Sequence, residues 1–216
     1  MTLKAGVNNF SAGTVQSGVG SIYLNGDDEQ NLSGAIFTTT GSIRLTAGQD
    51  IQIGSGSVVT GGGGNIDVTA MAGSVNAGTD AAGYTFNFAA SRNDVLYQVD
   101  ASFPGLLGGI STGNGGDVNI TAGLDILSYL PNGNNPSGDA GSGAFGAMPG
   151  DVTLTAGRNV TGHYIVANGA GIINAGNDAG TSASELALSL VSGGWTVSAT
   201  RDIVLQEVRN PNGYFQ

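Results

Sequence analysis

Aspartate or asparagine returns at one kind of place in this chain. Asp50, Asp125, Asn159 and Asp202 each stand directly before an Ile or Val, after a short turn-forming stretch. Stacked on one edge, such oxygens would suit a hard cation such as Ca²⁺. The same side chains can instead accept a hydrogen bond from turn backbone, as an Asx-turn does. A Ca²⁺-binding Gly-Gly-x-Gly-x-Asp nonapeptide would have to repeat, and Gly61–Asp67 is only a partial echo of one. Turn capping is therefore the preferred reading, with Asp50, Asp125 and Asp202 as the weak metal candidates. His163 is the only histidine and there is no cysteine, so zinc would need His163 plus carboxylates. The residues around it place it at a strand start with a partly exposed ring. No Gly-x-Ser-x-Gly stands on a strand-to-helix turn, so a serine nucleophile has no support. Glycoside hydrolysis asks for carboxylates converging on one groove. Asp94, Asp100, Asp117 and Asp151, with Arg92, are the set to consider, although Asp117 and Asp151 are better explained as repeat positions. No catalytic residue and no cofactor is expected.

The elements that would have to position these groups are short strands. A motif Gly-(Ser/Asn/Asp)-(Ile/Val)-x-(Ile/Leu/Val)-Thr-Ala occurs at Gly41–Ala47, Gly64–Ala70, Gly116–Ala122 and Gly150–Ala156, with a degenerate copy at Gly193–Ala199. Within it apolar and polar residues alternate, which is the period of a half-buried strand. The first interval holds three such strands, Ser42–Ala47, Asp50–Ile53 and Ser57–Thr60. Three strands per turn, each pairing with its equivalent one coil on, make a stacked-repeat fold in which no coil is stable alone. The expectation is all-β: a right-handed parallel β-helix of roughly eight to ten coils, from dividing the length by the repeat period. Inward positions should include Ile43, Leu45, Ile51, Ile53, Ile66, Val68, Val118, Ile120, Val152, Leu154, Trp195 and Val197.

Composition narrows the rest. Glycine supplies 39 of 216 residues, yet without the three-residue period of collagen. Hydrophobic residues at 40% fall in alternating runs, enough to order the chain. The net charge is −10 and the six cations are scattered singly, which excludes a nucleic-acid-binding patch. No run approaches the ~18 apolar residues of a membrane helix, so no membrane insertion is expected. The residues 1–216 read as a single repeat segment of a much longer chain.

With its tail Gly-x-(Asp/Asn)-(Ile/Val), as in Gly48–Ile51, Gly123–Ile126 and Gly157–Val160, the motif resembles the repeats of filamentous haemagglutinin-like exoproteins. The resemblance covers about residues 19–80 and 116–208. It implies a β-helix passed through an outer-membrane secretion pore by two-partner secretion and a non-catalytic role at the bacterial cell surface, as an adhesive fibre or stalk. A β-helical polysaccharide lyase or glycoside hydrolase, as in a phage tailspike, and a self-stacking extracellular filament are the alternatives.

Two stretches break the register. Residues 84–110 are rich in aromatic residues, and Pro131–Pro149 is dense in turn formers and reads as a loop extruded from a corner. Loops carry function on repeat scaffolds more often than the coils do. Binding is therefore expected at Tyr84, Phe86, Tyr97, Phe103 and Tyr129, and at Asn134 and Asn135. The expected partners are a host or neighbouring-cell surface protein or glycan, the secretion pore, and further copies stacked end to end.

Overall fold

The computed structural model describes residues 1–24, 34–78, 86–91, 94–99, 109–130 and 141–209. Among them there is no helix, and sixteen strands join in one large parallel sheet. The chain returns to three ladders in turn. The first stacks Thr2–Ala5, Ile43–Ala47, Ile66–Ala70, Val118–Ala122 and Val152–Ala156, then the ends of Val160–Ala175 and Leu186–Ala199. The second stacks Ile22–Tyr23, Ile51–Gln52, Val75–Asn76, Ile126–Leu127 and the start of Val160–Ala175, and single bridges carry it on to Ala179 and Ile203. The third runs from Ala35–Thr38 through Ser57–Thr60, Gly109–Thr112 and Ser142–Ala144, then into Val160–Ala175, Leu186–Ala199 and Leu205–Arg209. This connectivity is compatible with the parallel β-helix expected from the sequence.

Like residues stack on like. Leu3, Leu45, Val68, Ile120, Leu154, Ile173 and Val197 form one inward column, and Ala5, Ala47, Ala70, Ala122, Ala156, Ala175 and Ala199 another. Alternation works because successive side chains leave opposite faces of a strand, so a slip of one residue would expose the whole set. The expected inward residues from Ile43 to Leu154 are all buried. Trp195 and Val197 are only partly so, and they lie on the last rung among the described residues. The column Ile43, Ile66, Val118 and Val152 is interrupted by Gly171, over which Trp195 stacks. A Cβ on Gly171 would penetrate the Trp195 ring, so the glycine makes room for the indole.

Two expectations are corrected. Among the described residues the first ladder has the seven rungs just named, not eight to ten coils. Dividing length by period treats insertions as coils, and the interval from Gly64 to Gly116 is one coil with an excursion inside it. Nor is all of Pro131–Pro149 an extruded loop. Residues 131–140 lie outside the described residues, but Ser142–Ala144 is a rung of the third ladder and Phe145 is buried. Ser-Gly-Ala carries no hydrophobic signal, yet its small residues fit where coils approach closely: a Cβ on Gly143 would collide with the Ile165 carbonyl.

Three segments fall at the same place in the repeat. Residues 25–33, 79–108 and 131–140 each separate a second-ladder strand from the following third-ladder strand. The described residues on either side of each segment lie close together. Gly78 abuts Gly109, with a Cβ on the former 2.7 Å from the latter's Cα, and Leu24 and Gly34 both lie against Gly56. Tyr129 and Gly141 both meet His163: the His163 amide donates to the Tyr129 carbonyl at 2.8 Å, and a Cβ on Gly141 would lie 2.9 Å from the His163 carbonyl.

The Gly171–Trp195 exchange of volume predicts a paired effect. Gly171→Val restores the motif residue but overpacks the site, and should lower stability by about 1–3 kcal/mol. Adding Trp195→Val should recover most of that loss in urea unfolding. Equal stability of the single variant and the parent would show that the two residues do not share the space.

Candidate functional site

Side-chain oxygens just before the first and second ladders link each coil to the next. In the first series the Asn65 N–H donates to Ser42 Oγ (3.1 Å) and the Asp117 N–H to Asn65 Oδ1 (3.0 Å). The Asp151 N–H then donates to Asp117 Oδ1 (3.0 Å) and the Ala170 N–H to Asp151 Oδ1 (2.8 Å). There the series stops, because Ala170 has no side-chain oxygen.

The second series is longer. Ser21 Oγ accepts from the Asp50 N–H, Asp50 Oδ1 from Ser74, Ser74 Oγ from Asp125 and Asp125 Oδ1 from Asn159. Asn159 Oδ1 then accepts from Asp178 and Asp178 Oδ1 from Asp202, all at 2.8–3.3 Å. The turn-capping expectation is thus corrected in one respect: Asp50, Asp125 and Asn159 bind the backbone of the following coil rather than their own turn. Ser21, Ser74 and Asp178 belong to the same series. The signal for them was a small polar residue directly before an apolar one, as in Ser21-Ile22, Ser74-Val75 and Asp178-Ala179.

Two members carry an arginine from the coil above. Arg158 grips Asp125 with Nε at 2.8 Å from Oδ1 and with Nη2 on Oδ2, and Arg201 grips Asp178 in the same bidentate way. These hydrogen bonds favour the ionised carboxylate, so Asp125 and Asp178 are held below the usual Asp range against the opposing effect of burial. The arginines are raised by the same pairing. No group of three or more His, Cys, Asp or Glu able to hold a metal exists among the described residues.

The other chemistry-bearing residues fall in separate places. His163 was expected partly exposed at a strand start. It is buried within Val160–Ala175, with Nε2 2.8 Å from Ser189 Oγ. Alternation fails there because the third ladder is covered on both faces: outward Val59, Ser111, Ile165 and Ser189 are buried as well as inward Val58, Ile110, Tyr164 and Leu188. Trp195 Nε1 also donates to the Ser189 carbonyl (3.0 Å), and the buried Tyr164 hydroxyl donates to the Thr161 carbonyl (2.9 Å). Burial raises the Tyr164 pKa.

Of the carboxylates considered for hydrolysis, Asp117 and Asp151 are successive members of the first oxygen series. Asp94 begins a hairpin strand, while Arg92 and Asp100 lie outside the described residues. That hairpin, Phe86–Ser91 with Asp94–Val99, sets Phe86 opposite Val99 and Phe88 opposite Tyr97. These four positions therefore share one face. Tyr129 is half-buried beside the next excursion. Tyr84, Phe103, Asn134 and Asn135 lie outside the described residues. On the outward face of the first ladder a shallow, open hollow of about 380 Å³ is lined by Thr155, Asn174, Ser198 and Thr200, with no ionisable side chain.

Comparison with known families, curated proteins and solved structures finds no match to this chain.

The arginine pairs fix the sign of an acid effect. A carboxylate whose folded pKa is depressed adds stability above its unfolded value, near 3.9, and loses it as pH falls through the folded value. Thermal melts followed by circular dichroism should therefore drop as pH is lowered below about 4. A double variant Asp125→Asn/Asp178→Asn keeps both Oδ1 acceptors. It should melt below the parent at neutral pH and converge with it in strong acid. Parallel curves across the whole range would mean that the two pairs add nothing.

Proposed function

We propose that this chain is a right-handed parallel β-helix serving as a non-catalytic stalk or adhesive segment of a secreted bacterial surface exoprotein. In this reading it is of the filamentous haemagglutinin-like, two-partner secretion type. The observation that carries the adhesive part is the common place of the three segments in the repeat. A stack whose corner oxygens are engaged by its own backbone offers few free groups on its coils. It is instead suited to holding variable segments in a fixed row, the usual division of labour between rigid scaffold and functional loop. The aromatic hairpin Phe86–Ser91/Asp94–Val99 and the Pro- and Asn-rich segment 131–140 follow the second-ladder strands of successive coils. Their composition suits a glycan or protein surface, since aromatic faces and amide groups recognise both.

Secretion fits the same chain. A fold built from local repeats, without disulfides, can cross a pore unfolded and propagate coil by coil once outside. Its partners are then the outer-membrane pore during export and a glycan or protein of a host or neighbouring cell afterwards.

The joined ends of the 79–108 excursion allow a clean test. Linking Gly78 to Gly109 through a short Gly/Asn turn should keep the β-sheet circular-dichroism spectrum, because each ladder retains its rungs. Binding to an immobilised panel of glycans and cell-surface proteins should fall at least tenfold against the parent. Undiminished binding removes the adhesive role from this part of the repeat. Turnover of acidic or neutral polysaccharides, lost on Asp94→Asn or Asp100→Asn, would replace the whole reading with an enzymatic one.

A further inference from the structure

One buried hydroxyl meets the bases of two of the three segments. The neck of 79–108 is formed by Ala77 and Gly78 on one side and by Gly109 and Ile110 on the other. The neck of 131–140 is formed by Ser128–Leu130 and by Gly141 and Ser142. Ser142 is 1% exposed and opens the third-ladder strand Ser142–Ala144. Its Oγ donates to the Ala77 carbonyl at 3.1 Å and accepts the Ile110 N–H at 3.2 Å. Ser128 Oγ lies 3.3 Å from it. A serine hydroxyl has one proton and two lone pairs. The proton is committed to Ala77, so Ser128 is the donor in the contact between the two serines. Every bonding position of this oxygen is thereby used, and its partners lie on both sides of one neck and across the other.

The contact is close enough to require glycine. Gly109 has φ +64°, and a Cβ on it would lie 2.5 Å from Ser142 Oγ and 2.6 Å from the Ala77 carbonyl oxygen. Ser142 thus fills, from the second neck, the space that a side chain on the first would take. It also differs from the corner oxygens of the two series. Those accept from the coil that follows, whereas Ser142 accepts from the coil before. The rungs themselves are paired without it, Ser111 with Gly143 and Thr112 with Ala144. What the hydroxyl adds is a tie between necks. Hydrogen bonds that share an oxygen polarise one another, so loosening one weakens the rest.

We infer that the Ser142 hydroxyl couples the two necks, so that loosening the base of 131–140 loosens the base of 79–108. The coupling runs equally in reverse, as linkage between two equilibria requires. It rests on the adhesive reading only for its use: two binding segments tied at their bases answer a partner as one site rather than two. The tie is measured without any ligand, so its failure is distinct from failure of that reading.

The test is amide hydrogen exchange on the 216-residue chain. Ten Gly/Ser residues inserted after Asn134 double the length of 131–140 and favour opening of its neck about threefold. The readout is the Gly78 amide on the other neck, which donates to Asn76 Oδ1 at 3.1 Å. In the parent the insertion should quicken Gly78 exchange by roughly twofold, since exchange follows local opening. With Ser142→Ala the same insertion should leave the Gly78 rate unchanged. Should Ser142→Ala misfold, Ser128→Ala removes only the hydroxyl donated from the second neck and should cut the response by roughly half. A Gly78 rate indifferent to the insertion in the parent overturns the inference. So does an equal response with and without the serine hydroxyl, which would leave the coupling to the backbone pairing of the rungs.

Discussion

The stack rests on one repeated bond: a side-chain oxygen of each coil receives the backbone N–H of the equivalent residue in the next. Parallel strands as short as Ile51–Gln52 or Val75–Asn76 offer too few ladder bonds to hold a register by themselves. The oxygen series supplies the missing constraint at the point where the chain turns into such a strand. In the second series it also bears on how the acids are spaced. Adjacent coils lie about 4.8 Å apart, a separation at which stacked carboxylates repel strongly. The second series meets this by alternating, Ser21, Asp50, Ser74, Asp125, Asn159, Asp178. Where two acids finally follow each other, Arg201 lies on Asp178 and within 3.3 Å of Asp202. A chain of net charge −10 can thus align acids along one corner without the coils pushing apart.

That bond also explains where the chain varies. Oxygen series stand before the first ladder and before the second, and among the described residues none stands before the third. The corner leading out of the third ladder is further closed by Thr60 Oγ1 on the Gly64 carbonyl and Thr112 Oγ1 on the Gly116 carbonyl. A corner whose residues must match those above and below cannot lengthen freely. The remaining corner can, and loop closure grows costly only slowly with length. The segments 25–33, 79–108 and 131–140 all fall in the sequence between second- and third-ladder strands. The hairpin Val7–Asn9/Thr14–Val15 enters at a different corner.

Legibility in the sequence follows from whether a position answers to its neighbours in the chain or to those a coil away. Ile43, Leu45 and Ala47 alternate with polar residues because one face is buried and the other wet, so the strand and its inward side could be read directly. His163 could not, since the covered outer face of the third ladder erases alternation and a polar residue there is read as exposed. Ser142–Ala144 was hidden for the opposite reason: its role is to be small beside Ile165, and small residues resemble a loop. The corner acids were legible as a set, but their partners were not. The N–H bound by Asp125 belongs to Asn159, and nothing local to Asp125 points there. The aromatic residues of the hairpin were visible as an anomaly, and the pairing of Phe88 with Tyr97 required the strand register.

Polarity is the remaining consequence. Every oxygen in both series accepts from the coil that follows it, never from the one before, so the stack has a direction written into each corner. At the last described member Asp202 meets Arg201 Nε at 3.3 Å. The constraint that keeps the described rungs in register therefore also gives the stack its direction.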